Sequence, residues 1–122
     1  MVIRQVEKNG KICAVAESSD MVIRDLPSAL DLLAAVRYET EADRVVISKE
    51  LITDHFFILS TRLAGDILQK FVNYRVRIAI YGDFSGYTSK PLKEFIQESN
   101  RGDSVFFTAN YEIGRASCRE RV

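Results

Sequence analysis

The chain is poor in the residues that most often mark chemistry. It has one histidine, His55, and two cysteines, Cys13 and Cys118. The cysteines have no metal-ligand spacing and form no disulfide framework. His55 has Asp54 beside it, and Ser60 or Cys13 elsewhere would complete a hydrolytic triad on paper. Neighbours on a chain rarely point at each other, and no nucleophile elbow is present, so His55 reads as a surface histidine beside a Phe pair. Charge of either sign is not in excess: 17 Lys and Arg balance 17 Asp and Glu, for a formal net charge of zero. Nucleic acid, which needs a concentrated basic surface, is therefore not an expected partner. No apolar run approaches the roughly 18–20 residues that cross a bilayer, and the opening Met1-Val2-Ile3-Arg4-Gln5 lacks signal-peptide shape. The expectation is a cytoplasmic protein with no membrane contact. There are no internal repeats and no low-complexity segment.

What the chain does have is alternation of helix and strand patterns. Its 122 residues suit one domain that buries roughly two-thirds of its unfolded surface, and its hydrophobic fraction of 47% is ordinary for a globular chain. The organising stretch is Ser60–Asp83. Leu63, Ala64, Ile67, Leu68 and Phe71 recur at helical spacing. Val76, Ile78 and Ile80 then alternate along a strand spanning Arg75–Tyr81, which Gly82-Asp83 ends. Its apolar character rises along its length, as in one αβ unit of a doubly covered sheet. Gly65, costing about 1 kcal/mol against alanine inside a helix, implies close packing on that sheet.

The rest follows in order. Val2–Glu7 and Lys11–Glu17 are strands joined at Asn9-Gly10, a strong hairpin signal. Ser18–Arg24 is a connector. Asp25 or Ser28 caps a helix with Pro27 in its first turn and Leu26, Ala29, Leu30, Leu33 and Val36 on its apolar face. Arg44–Ser48 is a β-branched strand. Over Lys49–Leu59 the helix either begins near Thr53 or, the reading preferred here, is shorter and capped by Ser60 or Thr61. Gly82–Pro91 is a loop, and Thr88 or Ser89 caps a helix running to about Ser99, with Leu92, Phe95 and Ile96 inward. Asn100–Asp103 is a turn. Its Arg101-Gly102-Asp103 matches an adhesion tripeptide but reads as a helix end with Gly at C′. Ser104–Thr108 is the last strand. The order β-β-α-β-α-β-α-β predicts a single-domain α/β fold over 1–111: a mostly parallel sheet with helices on both faces and one antiparallel edge.

Beyond Tyr111 the character changes. Residues 112–122 are expected to be a non-native tail, because Ile113–Val122 resembles the translation of a sequencing adapter. Arg115, Arg119, Arg121 and Glu120 would leave with it, taking the net charge to −2. A helix would ordinarily follow the last strand and cover the open sheet face there.

Two stretches carry a family likeness: Asp54–Phe71 and Arg77–Ile96, with Ala29–Leu33 and Val36–Thr40 in support. Together they resemble an uncharacterised bacterial family, domain of unknown function 4180, over nearly the whole chain to about Tyr111. The resemblance implies a small bacterial domain and no assigned activity or cofactor. Arg62 stands where a smaller residue is expected. More distantly, the element order is similar to the STAS domain of anti-sigma-factor antagonists. Those carry a phosphorylatable serine at the start of the helix after the third strand, near Ser60 and Thr61 here, although Leu59-Ser60-Thr61-Arg62 replaces their usual signature.

Ligands of open α/β sheets bind beyond the carboxyl ends of the strands. Lys49–Thr61 and Gly82–Lys90 lie there. The second carries Asp83, Ser85, Tyr87, Thr88, Ser89 and Lys90 at a helix N-terminus, a natural place for an anion. It is not a Walker A loop, since three residues separate Gly82 from Gly86 and the order is Ser89-Lys90. The same residues also suit plain turn and cap chemistry. Tyr81, Tyr87, Phe84 and Phe56 read as partly core and partly an aromatic rim of the kind protein-binding patches show. The expected function is a regulatory or protein-interaction module acting through these loops, with Ser60, Thr61 and the 83–90 residues as candidates. The alternative is a small-molecule, nucleotide or anion-binding protein, or an enzyme, using the 82–90 loop. No catalytic motif, metal site or cofactor is implied, and partner identity and oligomeric state do not follow from the sequence.

Overall fold

A computed structural model describes residues 1–8 and 10–111 of the chain. Strands β1 (Val2–Lys8) and β2 (Lys11–Glu17) form the expected hairpin, pairing from Val2↔Glu17 to Lys8↔Lys11. The register leaves a two-residue turn in which Gly10 takes a φ of 78°, a value glycine adopts without steric cost. Helix α1 (Leu26–Glu39) starts at a reciprocal cap. Asp25 Oδ1 accepts the Ser28 N–H at 2.9 Å, and Ser28 Oγ accepts the Asp25 N–H at 3.0 Å. Both residues proposed as the cap are thus halves of one device. Strand β3 (Arg44–Ser48) follows, then three short 3₁₀ turns, Lys49–Leu51, Asp54–Phe57 and Leu59–Thr61. Helix α2 (Leu63–Asn73), strand β4 (Arg77–Tyr81), helix α3 (Lys90–Arg101) and strand β5 (Val105–Thr108) complete the described order.

The shorter version of α2 is the one formed, but its cap differs from expectation. Arg62, not Ser60 or Thr61, occupies the N-cap, at φ 63° and ψ 5°, with no side-chain cap bond. A left-handed residue cannot continue an α-helix, so 53–61 stays in separate turns. At the other end α2 closes in a Schellman motif: the Val76 N–H donates to Phe71 O at 2.9 Å and the Arg75 N–H to Val72 O at 3.0 Å. Arg75 takes the left-handed position, φ 58°. It is therefore part of the helix stop, and β4 begins at Arg77. Gly65 faces solvent with open space around its Cβ position, so it does not mediate close packing on the sheet. Gly102 is the C-cap of α3 with φ −84°, not a left-handed C′ residue.

The five strands lie in the order β1-β2-β3-β4-β5, with β1 antiparallel to β2 and all later pairs parallel. Each crossover, through α1, α2 and α3 in turn, therefore steps one strand in the same direction. Crossovers of uniform hand stepping one way put their helices on one face. The packing agrees: Ala14, Val45, Ile47, Ile78, Ile80 and Phe107 share one apolar cluster with residues of all three helices. Of the helices expected on both faces, those among the described residues cover only this one. The opposite face carries Cys13, Val15, Val46, Ala79 and Phe106, with Val6, Tyr81 and Tyr111 against them. Tyr111 is helical and packs on this face, and the residues after it, with the adapter-like segment Ile113–Val122, lie outside the described residues. Cys13, for which the sequence implied no disulfide, is buried and disulfide-bonded. No helix among the described residues is long and apolar enough to cross a membrane.

One further tie positions the site. The connector before α1 is stitched to the loop after β3: Ile23 N–H donates to Leu51 O at 3.0 Å and Thr53 N–H to Ile23 O at 2.8 Å. Ile23 and Ile52 form an isolated parallel bridge there, both buried.

Candidate functional site

The loops after β3 and β4 meet at the carboxyl ends of the strands. Thr53, buried, begins the 54–57 turn by accepting the His55 N–H at 3.4 Å. This turn sends Phe56 and Phe57 inward, edge to face with centroids 5.0 Å apart, and leaves Asp54 and His55 exposed. Phe57 then stacks on Tyr87 of the second loop, with centroids 5.2 Å apart and planes 21° apart. Phe84 joins them at 6.0 Å from Phe57 and packs on Phe107 at 5.6 Å. Lys49 Nζ lies 5.0 Å from the Tyr87 ring centroid, a cation–π contact. That path depends on Gly82, where an added Cβ would sit 2.7 Å from Lys49 Cβ.

Between the loops runs a groove of about 580 Å³. Phe57, Ile58, Leu59 and Ser60 line it from the first loop, and Tyr87, Thr88, Ser89 and Pro91 line it from the second and the start of α3. Ile58 is 49% exposed at its edge. Of the eight residues singled out from sequence, Ser60, Tyr87, Thr88 and Ser89 line this groove, while Thr61, Asp83, Ser85 and Lys90 do not.

Hydrogen bonds fix several of these residues in their loops. The Thr61 hydroxyl lies 2.8 Å from the carbonyls of His55 and Ile58 and donates to them, while its oxygen accepts the Leu63 N–H at 3.2 Å. Asp83 Oδ1 accepts from the Ser85 hydroxyl and, at 2.9 Å, from the Ser85 N–H, an Asx turn. The Ser85 hydroxyl first, then its amide, hold the Asp83 carboxyl below the usual carboxylate range, with the charge of Lys49 adding to the effect. Ser89 Oγ accepts the Leu92 N–H at 3.3 Å and caps α3, and Lys90 is exposed just after it. Ser85 and Ser89, two of the groups that suggested an anion site, are thus engaged in building the loop, and a fixed negative charge sits beside them. The His55 imidazole has no hydrogen bond to Asp54 or Ser60. Tyr81 lies apart on the other sheet face, edge-on to Tyr111 at 5.7 Å.

Phe57, Ile58, Leu59, Pro91 and Leu92 line the groove but were not singled out as site residues. The signal available was the run Phe56-Phe57-Ile58-Leu59, four consecutive apolar residues in a segment that the sequence left divided between a helix from Thr53 and a loop. Strand order matters as well. Among the described strands it never reverses, so the topological switch point at which doubly wound sheets hold nucleotides has no counterpart here.

The family described as Domain of unknown function (DUF4180) matches residues 8–116, most of the chain. The chain belongs to that family. No curated protein and no solved structure matches it.

Proposed function

We propose that this DUF4180 member is a regulatory protein-interaction module that seats an apolar side chain of a partner protein in the groove between the 54–60 and 86–92 segments. The observation that carries this reading is the apolar lining of the groove. Ile58 is half exposed at its edge, Leu59, Pro91 and the Phe57–Tyr87 stack line it, and the Ser89 hydroxyl in that lining is committed to capping α3. Aromatic and aliphatic surface of this kind suits a partner side chain better than a phosphate. The STAS-like order of elements supports the same regulatory setting, in a bacterial cytoplasm, with no enzymatic step.

Regulation by phosphorylation falls on Ser60 in preference to Thr61. Ser60 is exposed at the groove, whereas the Thr61 hydroxyl is tied to two carbonyls. A phosphate would bring about −1.5 to −2 charges to an apolar edge next to Asp54 and oppose docking.

Affinity capture from the native host tests the reading. A recurrent partner should be retained by wild type and by Lys93→Glu, and lost by Ile58→Glu, Tyr87→Ala and Ser60→Glu. The anion alternative is tested by thermal shift with nucleotides and phosphorylated metabolites. A ligand at 100 times its Kd adds about 2.7 kcal/mol. A shift abolished by Lys90→Ala but not by Ile58→Glu would overturn the interaction reading.

A further inference from the structure

A second groove lies at the opposite end of α2, beside the amino ends of the strands, where α1 and α2 come together. It encloses about 780 Å³ and is lined by Leu30, Ala34, Arg37 and Tyr38 of α1 and by Tyr74 and Arg75 after α2. Its lining includes two arginines and no acidic residue. Tyr38 is 90% exposed and Tyr74 is about half exposed, so two large rings at this groove face solvent. Arg37 Nη1 donates to Tyr74 O at 3.0 Å, which fixes its guanidinium over the end of α2, and its other N–H donors have no hydrogen-bond partner among the described residues. Neither Arg37 nor Arg75 has a carboxylate within 4.0 Å among the described residues. Capping of α2 uses the Arg37 side chain but only the backbone of Arg75, whose left-handed φ glycine would adopt freely.

We propose that this groove docks an acidic segment of a partner protein, with a carboxylate on the paired arginines and an aromatic or aliphatic residue against Tyr38 and Tyr74. Charge complementarity selects the occupant. Planar guanidiniums bind carboxylates through parallel N–H···O bonds, and the tyrosines supply rigid apolar contact. Nucleic acid fits less well, because two cations on a chain of zero net charge make no track for successive phosphates. This surface is separate from the groove of the proposed function and stands or falls on its own.

The test is selection of a random peptide display library on the intact protein. Peptides rich in Asp and Glu with an aromatic or large aliphatic residue should be enriched. Their affinity should fall at least tenfold in the Arg37→Gln/Arg75→Gly double variant and stay within twofold in Lys93→Gln, a charge loss on the exposed side of α3. Arg75→Gly relieves backbone strain, so loss of binding does not reduce to loss of fold, and a melting curve of the double variant checks this. The proposal is overturned if no peptide is enriched, if the enriched peptides lack acids, or if the double variant binds them as wild type does. It is equally overturned if a labelled single-stranded oligonucleotide binds more tightly than the peptides at the same two arginines.

Discussion

Arg62 and Arg75, at φ 63° and 58°, are the residues other than glycine with positive φ among those described, and they flank α2. The left-handed conformation costs an L-residue about 1–2 kcal/mol, part of which glycine returns as greater freedom in the unfolded chain. Arg75→Gly should therefore stabilise the protein by up to about 1 kcal/mol in urea denaturation. A loss of stability would show that the Arg75 side chain makes a contribution larger than its strain. Asp25 supplies a different test. Its carboxyl is held below the usual carboxylate range by the Ser28 amide first and the Ser28 hydroxyl next. A depressed folded-state pKa contributes stability that is complete above the unfolded value, about 3.9, and is lost as pH falls through the folded one. An asparagine at this position would keep a cap oxygen without titrating. Asp25→Asn should thus be close to wild type at pH 7 and lose less stability than wild type below about pH 4. Parallel acid limbs in the two melting profiles would remove Asp25 from the acid response.

At the scale of elements, α2 and β5 show how local chemistry meets a tertiary demand. Gly65 lies on the solvent side of α2 with nothing near its Cβ position. Gly65→Ala should stabilise by about 0.5–1 kcal/mol, read as a shift of the urea midpoint at constant m. A destabilisation would mean that some contact needs the bare backbone. On β5 the carbonyls of Ser104 and Thr108 serve the ladder to β4, so the polar groups of Phe107 point to the outer edge. The Asn100 side chain answers both: Phe107 N–H donates to Oδ1 at 2.7 Å, and Nδ2 donates to Phe107 O at 3.1 Å. An amide side chain here stands in for a neighbouring strand and blocks the edge. Asn100→Leu should cost about 1–3 kcal/mol and give concentration-dependent association in sedimentation. A variant that stays monomeric at wild-type stability would show that the edge needs no such cover.

For the whole molecule, the order β1-β2-β3-β4-β5 makes β3 and β4 the interior of the parallel sheet and β1 and β5 its edges. Val45, Val46, Ile47 and Ile80 are fully buried, while β1 is largely exposed. Amide hydrogen exchange should be slowest at Val45–Ile47 and Ile78–Ile80 and faster in β1 and β5. Equal protection across all five strands would mean that the sheet opens only by global unfolding.

The sequence by itself determined the order of elements, the hairpin and the α/β class, and it narrowed the caps of α1 and α3 to Asp25 or Ser28 and to Thr88 or Ser89. Each of these rests on contacts between residues a few positions apart, which periodicity and capping report directly. It also pointed to the two loops that meet, because parallel strands must deliver their ends to one side. Tertiary structure alone decided which face the three helices share, since that follows from strand order and the hand of each crossover. It also decided that Phe57 meets Tyr87, and that Thr61 and Ser85 bond inward while Ser60 lines a groove. The stack and the groove depend on segments about thirty residues apart in the chain coming within a few ångströms, while the Thr61 and Ser85 bonds are local and follow from the loop conformation adopted there. No local pattern encodes which side chains such a meeting leaves facing solvent.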